Sequence, residues 1–420
     1  MIPAGIRAGQ LAGLSAVALL CVGVVMVNSA DLMVARVENA SDIVAPVTML
    51  TILKSRAALY MALSLAAMFI GFCFPMRRIA GYIAGRFSGG SVFVALAATV
   101  VVLLSFCALV YVPGIREVRN GAHRWITLGV RDLSMQPSEV AKWAMIPLIA
   151  WYCTCRAANL PKLISGLFPA LLAVGAVAGF VIVEDLGTGV LIAAVACVML
   201  LCAGAKFWHF AIPAFMGVAG IAAAIVSSPY RVNRVKAFLN PYDHPETIGF
   251  HTIQGLIAIH NGKGVGMGLG DGLQKRGYLP EVRTDYIFAA VCEEMGIAGA
   301  AAVMAMFLGL IWAGYSVAQR EQNRLLRLWT LGIVATVGLQ AAINMLVVTG
   351  LAPAKGIALP LVSYGGTGWI LTAFSVGLLM AIDRTQPDEL EVSVGTSTFA
   401  PTAPTAPTAP TAPTAHTAVQ

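Results

Sequence analysis

Ten apolar stretches recur along this chain, at 10–29, 57–75, 90–112, 138–154, 163–183, 187–205, 208–227, 286–315, 328–349 and 366–382. A bilayer core about 30 Å thick is crossed by roughly 20 apolar helical residues, so each stretch is of spanning length or close to it. The composition agrees: 58% of the 420 residues are hydrophobic and 11% are charged, with a mean hydropathy of +0.81. Ordinary soluble domains carry about 25% charged residues. The expected fold is therefore an all-α polytopic membrane protein with about ten transmembrane helices. The stretch Leu11 to Val27 follows Arg7 and shows no convincing small-residue cleavage site, so it reads as the first membrane helix and not as a cleaved signal peptide.

The net charge of +7 does not call for nucleic acid, because no basic run interleaved with aromatics is present. In a membrane protein the excess Lys and Arg belong in loops, facing the cytoplasm or anionic headgroups. The cluster Arg77, Arg78 and Arg86 fits a cytoplasmic loop, although the distribution of basic residues does not by itself decide the orientation. Eight cysteines are scattered through apolar segments without Cys-x-x-Cys or Cys/His metal spacing, and they read as small buried hydrophobes. Residues 1–384 are expected to form the membrane domain. Residues 385–420 are a tail that repeats Pro-Thr-Ala from 401 on. With no apolar face to bury, such a tail should be extended and disordered, a spacer or a docking peptide.

Ionisable groups within membrane helices cost ~2.5–3.5 kcal/mol each on insertion scales, so those present carry information. Glu139 and Lys142 lie three residues apart and share one helix face, either as a neutralised packing pair or as a polar wall of a substrate cavity. Asp185, before Leu186-Gly187-Thr188, suits a helix cap at a tight turn. Glu293 and Glu294 need donors, from loop backbone or an arginine.

Two connections stand out, 113–137 and the much longer 228–285. The second is expected to be ordered, since apolar and aromatic residues interrupt its charges. Its glycine run from Gly262 to Gly270 lacks the strand–helix context of a nucleotide fold, and it suits close approach of backbone to a ligand or a membrane surface. Arg231, Arg234 and Lys275 could bind a phosphate or pyrophosphate; the alternative is a solvated basic loop near headgroups. Asp285, where the loop meets the next apolar stretch, is either an N-cap for a helix starting at Tyr286 or a chemical group.

These residues resemble the SEDS family (shape, elongation, division and sporulation), the group of RodA and FtsW. The matching stretches include Arg124-Trp125-Ile126, Gln136-Pro137-Ser138-Glu139 with Lys142, Asp185-Leu186-Gly187-Thr188, Tyr230-Arg231 with Arg234, and Gln274-Lys275. They continue with Tyr278-Leu279-Pro280-Glu281, Thr284-Asp285, Glu293-Glu294-Met295-Gly296, Asn344, Lys355-Gly356 and Ser363-Tyr364-Gly365-Gly366. The resemblance implies a ten-helix fold with both termini cytoplasmic and a long outer loop between helices 7 and 8. It implies a peptidoglycan glycosyltransferase acting on lipid II at the outer face of the cytoplasmic membrane. A class B penicillin-binding protein, the transpeptidase, would be its partner, among divisome or elongasome proteins. Gln274-Lys275 and the long tail look closer to the division branch.

The resemblance points to Asp285 as the general base. Arg231, Arg234, Lys275 and Lys355 would steady the departing pyrophosphate, Glu139 and Lys142 would shape the cavity, and Arg124 and Ser363 would stand on the substrate-binding side. A divalent cation, magnesium or manganese, could share the work of the basic residues. The chain departs from the family pattern at Glu184, where proline is usual, at His251 and Gly255, at Asn261 and Lys263, at Arg283 and at Ala354. Two rival readings are a flippase for the same lipid-linked precursor, which needs charged groups but no base, and a non-catalytic scaffold that activates a transpeptidase.

Overall fold

The computed structural model describes residues 7–38, 52–84, 90–119, 122–127, 134–243, 245–247, 249–275, 279, 282–353 and 356–386. Arg86, Tyr278, Pro280, Glu281, Ala354, Lys355 and the Pro-Thr-Ala repeat lie outside the described residues. By contacts the chain divides into Met1–Arg384 and Thr385–Gln420, the second described only at its first two residues.

Helices fall on all ten apolar stretches. They are α1 (Ala8–Glu38), α2 (Arg56–Cys73), α4 (Ser91–Ala108), α5 (Pro137–Cys155), α6 (Phe168–Glu184), α7 (Leu186–Cys202), α8 (Ala211–Val226), α11 (Ile287–Arg320), α12 (Arg324–Val348) and α13 (Gly366–Arg384). Eight of the ten regions are long and apolar enough to cross a membrane. The other two are α7, apolar but only 17 residues long, and α5, which carries Glu139 and Lys142. The chain is thus an all-α multi-pass membrane protein, as hydropathy predicts.

Among the described residues, three α-helices of nine to thirteen residues lie off these stretches: α3 (Met76–Ala84), α9 (Pro229–Leu239) and α10 (Phe250–Gly262). The last two show that the long connection is itself partly helical. The shorter connection holds a small antiparallel sheet, β1 (Arg116–Arg119), β2 (Ala122–Thr127) and β3 (Ser134–Met135), in the order β1-β2-β3.

Packing follows the pattern of small residues. Helix α13 lies against α2, while α1 packs on α11 and α13, and α12 bridges α5, α7 and α11. A side chain at Gly377 would meet the Met68 carbonyl at 2.1 Å, and one at Gly71 would meet the Phe374 carbonyl at 2.4 Å. Glycines therefore let the α2 and α13 backbones approach closely, the usual device where lipid removes the hydrophobic drive for helix association. At one end of the bundle the Asp383 carboxylate accepts from the Gly9 amide at 3.0 Å and ties α13 to α1.

Helix α11 is broken at Gly296, whose φ of 63° is left-handed. The break exposes the carbonyls of Glu293 and Glu294, which accept from the Met267 and Gly268 amides at 2.9 and 3.0 Å. The segment after α10 is thereby strapped onto α11. Freed backbone groups inside a membrane protein need such internal partners.

Candidate active site

Where the ends of α5, α6, α9, α11 and α13 converge, they enclose a cavity of about 700 Å³. Asp285 reaches it from the residue pair preceding α11. The helix starts at Ile287 with Tyr286 in the N-cap position and no side-chain cap, so Asp285 stands one residue before the cap, not in it. It is half-buried, and its carboxylate lies so close to the main chain of Gly356 that a Cβ there would sit 3.0 Å from Oδ2. Glycine at 356 is what admits this approach.

Three arginines line the same cavity. Arg124 projects from β2, with its Nε donating to the Glu184 carbonyl at 2.8 Å. The Glu184 side chain accepts from the Tyr111 hydroxyl at 2.9 Å and the His123 amide at 3.0 Å, and so pins the sheet to the α6–α7 turn. Arg231, on α9, donates to the carbonyls of Ala224, Ile182 and Val183 at 3.1, 3.1 and 2.9 Å. Its fork binds the carboxyl ends of α8 and α6, where carbonyls lack helical partners. Arg234 follows one turn of α9 later and faces the cavity as well.

Glu139 lines the cavity in front of Lys142. Lys142 is 3% exposed, and its ammonium donates to both Glu139 oxygens and to Gln340 Oε1. The pair is thus both neutralised and part of a cavity wall, which joins the two alternatives that the sequence leaves open. Asp185 caps α7, accepting from the Thr188 amide at 3.1 Å and hydroxyl at 2.7 Å, and also takes Gln136 Nε2 at 3.0 Å. Ser363 Oγ accepts from the Leu359 amide at 2.7 Å and so shapes the turn that forms one cavity edge.

Lys275 is not brought to this cavity. It is 2% exposed, ion-paired to Glu294, and donates to Ser29 Oγ at 2.6 Å. Glu294 also accepts from the Gly270 amide at 2.9 Å, and Glu293 accepts from the Leu273 and Gln274 amides. The donors expected for the paired glutamates are therefore loop backbone and a lysine in place of an arginine. Lys355, the remaining expected cation, lies outside the described residues.

Gln340 carries no expected role in the sequence, and Asn344 only a place in a motif. They stand one turn apart on α12, and both hold the chain that ends at Ser363: Gln340 Nε2 donates to the Ala358 carbonyl at 2.8 Å and Asn344 Nδ2 to that of Ile357 at 2.8 Å. The available signal is two buried amides at i,i+4 spacing in an otherwise apolar stretch. Among the described residues no group of three or more His, Cys, Asp or Glu side chains gathers to hold a metal ion. A divalent cation would take its remaining ligands from a bound phosphate group and water.

The family profile FTSW_RODA_SPOVE, described as "Cell cycle protein", matches residues 11–387. The chain is 36% identical over 389 residues to a probable peptidoglycan glycosyltransferase FtsW of Thioalkalivibrio sulfidiphilus, an alignment covering 92% of each protein. It is 38% identical over 288 residues to stage V sporulation protein E of Bacillus subtilis, covering 68% of this chain and 77% of that protein. Among solved structures it is similar to a chain of a peptidoglycan synthase complex that coordinates polymerization and crosslinking, with TM-score 0.60, 22% identity, and coverage of 86% and 97% of the two chains. It is also similar to the rod shape determining protein RodA of Thermus thermophilus, with TM-score 0.56, 20% identity, and coverage of 90% and 96%. With a family match across nearly the whole membrane domain, and helices on every predicted span, the chain belongs to the FtsW, RodA and SpoVE family of cell cycle proteins.

Proposed function

We propose that this protein is a peptidoglycan glycosyltransferase that polymerises lipid II at the outer face of the cytoplasmic membrane, in septal synthesis, with both termini in the cytoplasm. The names of the full-length relatives support the reaction class. The observation that carries the reading is that the Asp285 carboxylate faces the same cavity as Arg124, Arg231 and Arg234.

Chain growth joins the 4-hydroxyl of an acceptor sugar to the anomeric carbon of a donor. Asp285 takes the hydroxyl proton as the new C–O bond forms. The bond from the anomeric carbon to the lipid pyrophosphate breaks, and the pyrophosphate leaves with the electron pair. A positioned base contributes ~10²–10⁴-fold in rate. The arginines offset the growing negative charge where little water screens it. Three carbonyls on the Arg231 fork hold that side chain at the cavity wall. Any divalent cation would supply further charge compensation at the pyrophosphate. A class B penicillin-binding protein would crosslink the emerging strand.

The test uses the purified full-length protein with its cognate transpeptidase and lipid II. Glycan chains from the wild type and none from Asp285→Asn, with the complex intact, are expected. Chains of normal length from Asp285→Asn would remove Asp285 from its role. Absence of chains from both proteins would favour precursor translocation or a scaffold.

A further inference from the structure

We infer that Asn344 is a positioning residue for Asp285: its side-chain amide clamps the chain that carries the base to the chain that lies against it. This inference rests on the reading of Asp285 above. Asn344 Nδ2 donates to two main-chain carbonyls, that of Asp285 at 2.9 Å and that of Ile357 at 2.8 Å. Those two carbonyls belong to segments 72 residues apart in sequence, and the Gly356 main chain next to the second is what the Asp285 carboxylate rests against. One NH₂ group therefore fixes both the carboxylate and the surface it leans on.

Three features separate this role from simple packing. Asn344 is 1% exposed near the carboxyl end of an apolar helix, where an aliphatic residue fills space without a polar cost. Its Oδ1 is buried with no hydrogen-bond partner among the described residues, so both donors are committed to the loops while the acceptor goes unmet. Turning the amide over would set that oxygen against two carbonyl oxygens, so only this orientation serves. Gln340, one turn earlier, holds Ala358 in the same way and keeps the Gly356–Leu359 chain in place independently. The contact special to Asn344 is the one to Asp285.

The experiment compares wild type, Asn344→Leu and Asp285→Asn in the full-length protein with its transpeptidase, using lipid II polymerisation and hydrogen exchange. Misplacing a reacting group by about an ångström costs on the order of 10²-fold. Asn344→Leu is therefore expected to lower kcat by about that factor, with KM within about threefold of wild type. Amide exchange should rise in the peptides around 283–287 and 356–359, and the rest of α12 should stay protected. If Asn344→Leu does not insert, Asn344→Ser is read in the same way. Unchanged kcat in a protein that Asp285→Asn inactivates overturns the inference while leaving the base in place. A raised KM with normal kcat, or exchange that rises evenly along α12, also overturns it, because each describes a binding or a general packing role. An active Asp285→Asn protein instead overturns the reading beneath it.

Discussion

The Lys142 ammonium meets both oxygens of Glu139, at 2.9 and 2.7 Å, and Gln340 Oε1 at 2.8 Å, within a helix that carries no other charge. Removing one member of a buried pair leaves the other uncompensated and costs ~3–5 kcal/mol, whereas removing both is far milder. Lys142→Met is expected to lose stability at the lower end of that range, because Glu139 keeps 14% of its side-chain surface. The double variant Lys142→Met with Glu139→Gln should recover much of the loss. Thermal melting in detergent checks this; equal melting of the single and double variants would show that the pair is not coupled.

Lys275 tests a second distinction. A cation that holds pyrophosphate would affect substrate binding, and one that neutralises buried Glu294 would affect the fold. Its burial against Glu294 and Ser29 favours the latter. Lys275→Met should lower the melting temperature and expose the segment after α10 to protease, since buried Glu294, beside the equally buried Glu293, would then lose its ion pair with Lys275. A variant with wild-type melting and a raised KM for lipid II would restore Lys275 to the substrate.

The Glu184 carboxylate holds Tyr111 and His123, and through them the sheet that presents Arg124. Hydrogen bonds to a charged group contribute ~1.5–3 kcal/mol when buried, less at this part-exposed site. Glu184→Ala should cost about 1 kcal/mol of stability and weaken substrate affinity more than turnover, because Arg124 loses its setting and Asp285 does not. Glu184→Gln, which keeps an acceptor, should fall between. Steady-state kinetics on both variants decide it, and a selective loss of kcat would count against the brace.

The ten helices are legible in the sequence because each one answers to a local quantity, the apolar length set by the bilayer. The Glu139–Lys142 pair and the Asp185 cap are legible for the same reason, since their partners lie three residues away. What is hidden depends on contacts between distant segments. The strands at 116–119, 122–127 and 134–135 are four, six and two residues long, too short and too charged for an alternation to show. The paired glutamates signal a need for donors, but the donors come from residues about 20 positions earlier and from Ser29 on α1. The positive charge of Lys275 is plain in the sequence, and its partner is a matter of the fold. Gln340 and Asn344 lie on a stretch that hydropathy marks only as a span, and their targets belong to another segment of chain.

Close packing between α2 and α13 gives the last prediction. A Cβ at Gly377 falls 2.1 Å from the Met68 carbonyl and 3.0 Å from the Phe72 amide nitrogen, both main-chain atoms that cannot rotate away. The helices must separate to admit it. Overpacking typically costs ~1–3 kcal/mol, and a backbone clash belongs at the top of that range. Gly377→Ala is therefore expected to lower the melting temperature and the yield of inserted protein, and Gly71→Ala, against the Phe374 carbonyl, should behave alike. Gly179→Ala is the control: it lies in a membrane helix with nothing within 4 Å of its added Cβ. Alanine there should leave stability unchanged or raise it by about 0.5–1 kcal/mol through the lower entropy of the unfolded chain. Equal tolerance at positions 377 and 179 would mean that α2 and α13 do not meet at the separation described.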